Sequence, residues 1–167
     1  VTYSGLIYYN FSREQSVVKP QKYDNDILLI GMDFNTDPMS AVIAIRKGNT
    51  LTCIDEIVIF GSNTDEMAKE INYRYPHRQI VIFPDPASRQ RKTSAGGRTD
   101  LSILQNAGFH VKAKSKHDVI RDRVNSVNSR LKAADGERHL FISSLCKQTI
   151  KSLERQTYKE GTSVPNK

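Results

Sequence analysis

The chain has 167 residues, of which 38% are hydrophobic and 26% charged, a globular composition that excludes collagen-like and low-complexity classes and suits one domain with a sizeable core. No apolar stretch approaches the roughly 20 residues needed to cross a bilayer, and the N-terminal residues lack the basic and apolar regions of a signal peptide, so a soluble, intracellular protein is expected. Lys and Arg number 25 against 18 Asp and Glu, a net charge of +7 that favours a polyanionic partner such as nucleic acid.

Residues 1–26 show little periodicity and read as an extended lead-in anchored by Tyr3, Leu6, Tyr8 and Phe11. Residues 27–33 read as a buried strand, 40–46 as a second and 50–60 as a third, with Lys47-Gly48-Asn49 as a hairpin turn, so the first three strands form an antiparallel meander. Ser62-Asn63-Thr64 supplies helix-capping residues, Asp65 and Glu66 fill a first turn, and Met67, Ile71 and Tyr75 follow at helical spacing before Pro76. The apolar run 79–83 then stops at Pro84-Asp85-Pro86. A strand reached from a meander through a crossover helix is commonly laid parallel beside the first strand. Residues 99–107 predict a helix closed by Gly108, 109–112 a short strand, and 116–131 a helix with Val119, Ile120, Val124, Val127 and Leu131 on one side. Asp135-Gly136 turns the chain, 139–142 is a strand, 143 to about 158 a final helix, and the tail EGTSVPNK reads as unstructured. Cys53 and Cys146 lie in apolar or helical surroundings, which predicts reduced, packed thiols with no disulfide framework and no zinc spacing.

Two carboxylates, Asp33 and Asp85, stand at strand ends that parallel pairing would bring to one edge of the sheet, where sites of open α/β sheets collect. Two anionic oxygens aimed at one point repel unless a cation sits between them, and hard divalent ions prefer such ligands. The alternative is that each Asp is a turn or cap residue. Asp33 sits inside the run Gly31-Met32-Asp33-Phe34, where an unpartnered charge is costly, and this favours the metal reading.

The densest basic region, RQRKTSAGGR at 89–98, follows directly after Asp85 and contains no acids. Arg89, Arg91, Lys92 and Arg98 are therefore candidate phosphate contacts, and Lys114, Lys116 and Arg121 form a second basic group. Of Asp55 and Glu56, one faces the same side as Asp33, although an exposed strand carboxylate is the simpler reading. Asp24, Asp26, Asp37 and Asp135 read as turn residues. His77, His110, His117 and His139 lack zinc-ligand spacing; His117 reads as a solvated loop residue or one facing a polyanion.

Together these segments carry a family resemblance. "GLIYYNF", "GMDFN", "FPDPAS" followed by "RTDLSILQNAGFHV", and "RLKAADGERHLFISSLCKQTIKSLERQTYKEG" resemble, in order and spacing and over most of the chain, the nuclease domain of the large terminase subunit of tailed, headful-packaging double-stranded DNA bacteriophages. The resemblance implies an RNase H-like α/β fold: a central mixed sheet, its first three strands an antiparallel meander, flanked by helices. It also implies a metal-dependent endonuclease in which Asp33 and Asp85 match the first two metal-binding carboxylates and two Mg²⁺ or Mn²⁺ ions are held. The implied partners are double-stranded DNA as a viral concatemer, a terminase ATPase domain, the small terminase subunit and the portal protein; no membrane partner is implied. The implied location is the cytoplasm of the infected bacterial host and, transiently, the procapsid portal. The family's third carboxylate is expected on a helix in a His-x-x-Asp-Ala type motif beyond Lys167, so these residues alone are expected to be incomplete for catalysis. No phosphate-binding Gly-x-x-x-x-Gly-Lys-Ser/Thr loop occurs in the sequence, so the ATPase part is not expected within it. Other readings are an RNase H-like resolvase or transposase-type nuclease, or a non-catalytic DNA-binding or portal-docking module.

Overall fold

The computed structural model describes residues 5–35, 37–86 and 99–166. Within them seven strands form a mixed sheet in the order β1-β7-β4-β3-β2-β5-β6, accompanied by five helices. The chain divides into two compact units, one of residues 22–46 and 55–117, the other of 1–21, 47–54 and 118–167, with β4 (Thr50–Ile59) contributing a half to each.

In the first unit β2 (Leu28–Asp33) pairs antiparallel with β3 (Met39–Lys47) and parallel with β5 (Ile80–Pro84), and β5 pairs parallel with β6 (His110–Val111). The strand alternation is a strict period of two. Leu28, Ile30 and Met32 on β2, Ala41, Ile43 and Ile45 on β3, and Ile80 and Ile82 on β5 are all buried. Leu29, Gly31 and Asp33 occupy the other face of β2, and of these Gly31 and Asp33 are exposed. Asp33 is therefore an exposed strand residue, and the buried-charge argument for it does not hold: the alternation turns its side chain to the open face while its neighbours Met32 and Phe34 stay buried. Ile27, expected inside the strand, precedes it and is 45% exposed.

The crossover helix α2 (Thr64–Arg74) begins where the Asn63 side chain accepts from the Glu66 N–H at 3.0 Å, and it buries Met67, Ala68 and Ile71. Helix α3 (Asp100–Asn106) is capped by Thr99, whose hydroxyl accepts from the Ser102 N–H at 3.2 Å, and it buries Ile103 and Leu104. It ends at Gly108, whose φ of +94° lets the Phe109 N–H turn back onto the Leu104 carbonyl at 3.2 Å. Asp100 is fully buried, and its Oδ1 accepts from the Thr64 hydroxyl at 2.7 Å, tying the first turn of α3 to that of α2. Asp55 is half-buried and neither solvated nor at a strand end: its Oδ2 accepts from Tyr75 Oη at 2.7 Å and Arg74 Nη1 at 3.1 Å, holding the end of α2.

In the second unit β7 (Leu140–Ser143) pairs parallel with the first part of β4 and with β1 (Val17–Val18). The lead-in is thus more ordered than an extended crossing: Ser12 caps α1 (Arg13–Ser16), which leads into β1. Its most buried residue among those described is Ile7, at 1% exposure, while Leu6, Tyr8 and Phe11 are half-buried; Tyr3 lies outside the described residues. Helix α4 begins four residues later than expected, as Ile120–Leu131, because Val119 and Ile120 are 63% and 44% exposed and only Val124, Asn128 and Leu131 are buried. Helix α5 (Lys147–Arg155) is likewise shorter than expected, since Ser143 belongs to β7. Leu131, Ile142, Cys146 and Ile150 form the core here, with Cys53 packed against them, and both thiols are free. Asn128, buried on α4, donates to the Ile7 carbonyl at 2.8 Å and accepts from the Asn10 N–H at 3.3 Å, which fastens the lead-in. The tail is not unstructured: Leu6 bridges Thr157, Tyr158 bridges Pro165, and the Lys159 N–H donates to the Val164 carbonyl at 2.8 Å, closing a turn.

Candidate metal centre

Parallel pairing of β2 with β5 sets Met32 opposite Pro84, and the Asp85 N–H donates to the Met32 carbonyl at 3.0 Å. Asp33 and Asp85 are therefore side by side at the carboxyl edge of the sheet. Because register partners on parallel strands share a face, both carboxylates point to the open face that carries Gly31 and the 43% exposed Phe83. Neighbouring strands lie about 4.8 Å apart, so the two negative charges face each other across one strand spacing.

Each carboxylate has a local partner. The Asp33 Oδ2 accepts from Asn35 Nδ2 at 3.0 Å and Oδ1 from the Asn35 N–H at 3.3 Å, a short-range turn that orients the group. His117 Nε2 lies 3.4 Å from Asp85 Oδ1, with the two side chains 49% and 33% exposed. This contact was not evident in the sequence, which left His117 as a loop residue; its route is β6, parallel to β5, whose last bond, Lys112 N–H to the Ile82 carbonyl at 2.9 Å, delivers residues 113–117 to the same edge. Ser40, the register partner of Asp33, stands at that edge from β3.

The other candidates fall in three places. Lys114 and Lys116 are exposed on the segment that ends at His117. Arg121 is exposed in the first turn of α4, in the second unit. Arg89, Arg91, Lys92 and Arg98 lie outside the described residues.

The donor set suits a hard divalent cation. Two adjacent carboxylates on an open face supply anionic oxygens, and ions of the Mg²⁺ type are held by one or two carboxylates with water and substrate phosphate completing the shell. Among the described residues, no three His, Cys, Asp or Glu side chains form a complete metal cage. Nor is any helix among them long and apolar enough to cross a membrane.

A three-strand antiparallel meander, a crossover helix and a fourth strand parallel to the first, with acids at the ends of strands one and four, define an RNase H-like α/β fold. No protein-family model matches the chain, and no curated protein does. Among solved structures the chain is similar to the large terminase of a thermophilic bacteriophage, at TM-score 0.76 and 15% identity over 98% of this chain and 41% of that one. It is similar to the P22 large terminase nuclease domain at TM-score 0.73 and 11% identity, covering 98% and 84% of the two chains. It is also similar to the nuclease domain of the bacteriophage SPP1 large terminase, solved with bound Mn, at TM-score 0.59 and 16% identity over 95% and 86%. The fold is thus the one these large terminase nuclease domains share, as the resemblance in the sequence implied. The chain spans about two fifths of the length of the thermophilic phage protein.

Proposed function

We propose that this domain is the metal-dependent endonuclease of a bacteriophage DNA-packaging terminase, hydrolysing phosphodiester bonds of double-stranded DNA. The observation that carries the reading is the in-register, same-face juxtaposition of Asp33 and Asp85 at the carboxyl edge of the sheet. In this reading the two side chains hold two Mg²⁺ or Mn²⁺ ions, which when bound activate water and stabilise the leaving 3′ oxygen. Asn35 keeps the Asp33 carboxylate oriented through its two hydrogen bonds, so that little reorganisation is needed when substrate arrives. Lys114 and Lys116 neutralise phosphate near the reacting bond, while Arg89, Arg91, Lys92 and Arg98, with Arg121, hold the duplex without reading its sequence.

The third carboxylate implied by the family resemblance lies beyond Lys167 in this reading, and these 167 residues by themselves cut weakly or not at all. The proposed partners are the concatemeric viral DNA, an ATPase domain, the small terminase subunit and the portal. The proposed site of action is the host cytoplasm and the procapsid portal.

Cleavage of linear duplex DNA in Mn²⁺, by a form extended through the third carboxylate, tests the proposal. Loss of one ion ligand removes several kcal/mol of transition-state stabilisation, so Asp33→Asn and Asp85→Asn should each slow cutting by on the order of a thousandfold. Undiminished cleavage in both variants would overturn it.

A further inference from the structure

We infer that His117 is a nitrogen donor to the ion held at Asp85, and that it tilts this position toward late first-row ions such as Co²⁺ and away from Mg²⁺. The inference rests on the reading of Asp33 and Asp85 as a metal site.

Three features of the contact carry it. The 3.4 Å between His117 Nε2 and Asp85 Oδ1 is longer than the roughly 2.7–3.2 Å of an ordinary N–H···O hydrogen bond. It is close to the spacing of two donors held at right angles on one ion: at about 2.1 Å each from the metal, they stand about 3 Å apart. The pair is also half-open to solvent, so water and a substrate phosphate have room to fill the remaining positions. Finally, His117 is delivered by the third parallel strand of the same edge, so strands β2, β5 and β6 each send one metal-capable side chain toward it. Lys114 and Lys116 on that segment cannot serve, because an ammonium has no lone pair to donate.

An imidazole changes selectivity in a predictable direction. Carboxylate and water suit Mg²⁺, whereas imidazole suits Co²⁺, Ni²⁺ and Zn²⁺, whose affinities for such sites also rise along the first row. With Asp33 and Asp85 alone the site would discriminate little among these ions by ligand type.

The test uses the 167-residue chain and the metals alone. Binding of CoCl₂ and MgCl₂ is measured by calorimetry for the parent protein, His117→Ala and Asp85→Asn, and pulsed EPR of the Mn²⁺-loaded proteins reports coordinated imidazole nitrogen. His117→Ala should weaken Co²⁺ by at least the roughly tenfold that removal of even an outer-shell partner costs, change Mg²⁺ less than about threefold, and remove the nitrogen modulation. Equal weakening for both ions would mean that His117 only positions Asp85, and unchanged affinities with the nitrogen signal retained would mean that it does neither; each overturns the inference. If Asp85→Asn itself leaves Co²⁺ binding intact, it is the underlying metal-site reading that fails.

Discussion

Asp33→Asn separates the electrostatics of the site from its chemistry. Two unit charges about 5 Å apart repel by about 0.8 kcal/mol at the dielectric of water and by about 3 kcal/mol at an effective value of about 20. Asp33 is exposed and Asp85 is 33% exposed, so the lower figure applies, reduced further by salt. Against that gain, an amide at position 33 offers one acceptor where the carboxylate offers two to Asn35, which costs about 0.5 kcal/mol. The metal-free variant should therefore be between equally stable and about 1 kcal/mol more stable than the parent, a rise in Tm of up to about 4 °C for a chain of this size. Thermal unfolding in EDTA measures this. Repeating the scan in Mn²⁺ at about a hundred times its Kd should stabilise the parent by about 2.7 kcal/mol and the variant far less. A variant destabilised by more than about 1 kcal/mol in EDTA, or stabilised by Mn²⁺ as much as the parent, would refute the shared-site reasoning.

Three further outcomes are expected. Changing Arg89, Arg91, Lys92 and Arg98 together to Ala should flatten the salt dependence of duplex binding by up to about 0.9 for each phosphate no longer neutralised, while cleavage at saturating DNA falls far less than in Asp33→Asn; an unchanged slope in a binding titration would remove this run from the DNA track. Asp100→Ala should cost about 1–3 kcal/mol in urea unfolding, because it strips the buried Thr64 hydroxyl of its acceptor, and Asp100→Asn, which keeps one, should cost less; equal stability of Asp100→Ala and the parent would contradict this. Arg13 bonds the Glu154 carboxylate at 2.8 Å, and this hydrogen bond and charge hold the carboxyl below its ordinary value of 4.5. The small stability this surface pair contributes is present above that value and is lost as pH falls through the depressed one; a stability difference between the parent and Arg13→Ala that grows on acidification would contradict the assignment.

The part of the fold that builds the site was legible because two strong patterns meet there. Period-two burial along residues 28–33 and 80–84, and a capped helix between them, suffice to place two strand ends side by side. What escaped reading lacked a periodic signal. Val17–Val18 is too short to show alternation and becomes a strand only by pairing with Ile142 and Ser143. Val119 and Ile120 are apolar yet exposed, so apolar spacing overran the true start of α4. His117 meets Asp85 through strand pairing across β5 and β6, a long-range relation with no local trace, and the exposure of Asp33 follows from which face of β2 is left open.

The central claim, that Asp33 and Asp85 share a divalent-metal centre, is tested most directly by a crystal of the domain soaked in millimolar MnCl₂ and measured for anomalous scattering. An anomalous peak is expected within coordinating distance, about 2.2 Å, of both the Asp33 and Asp85 carboxylates, or two peaks for two ions between them. Peaks elsewhere on the surface, with none at these two side chains, would contradict it.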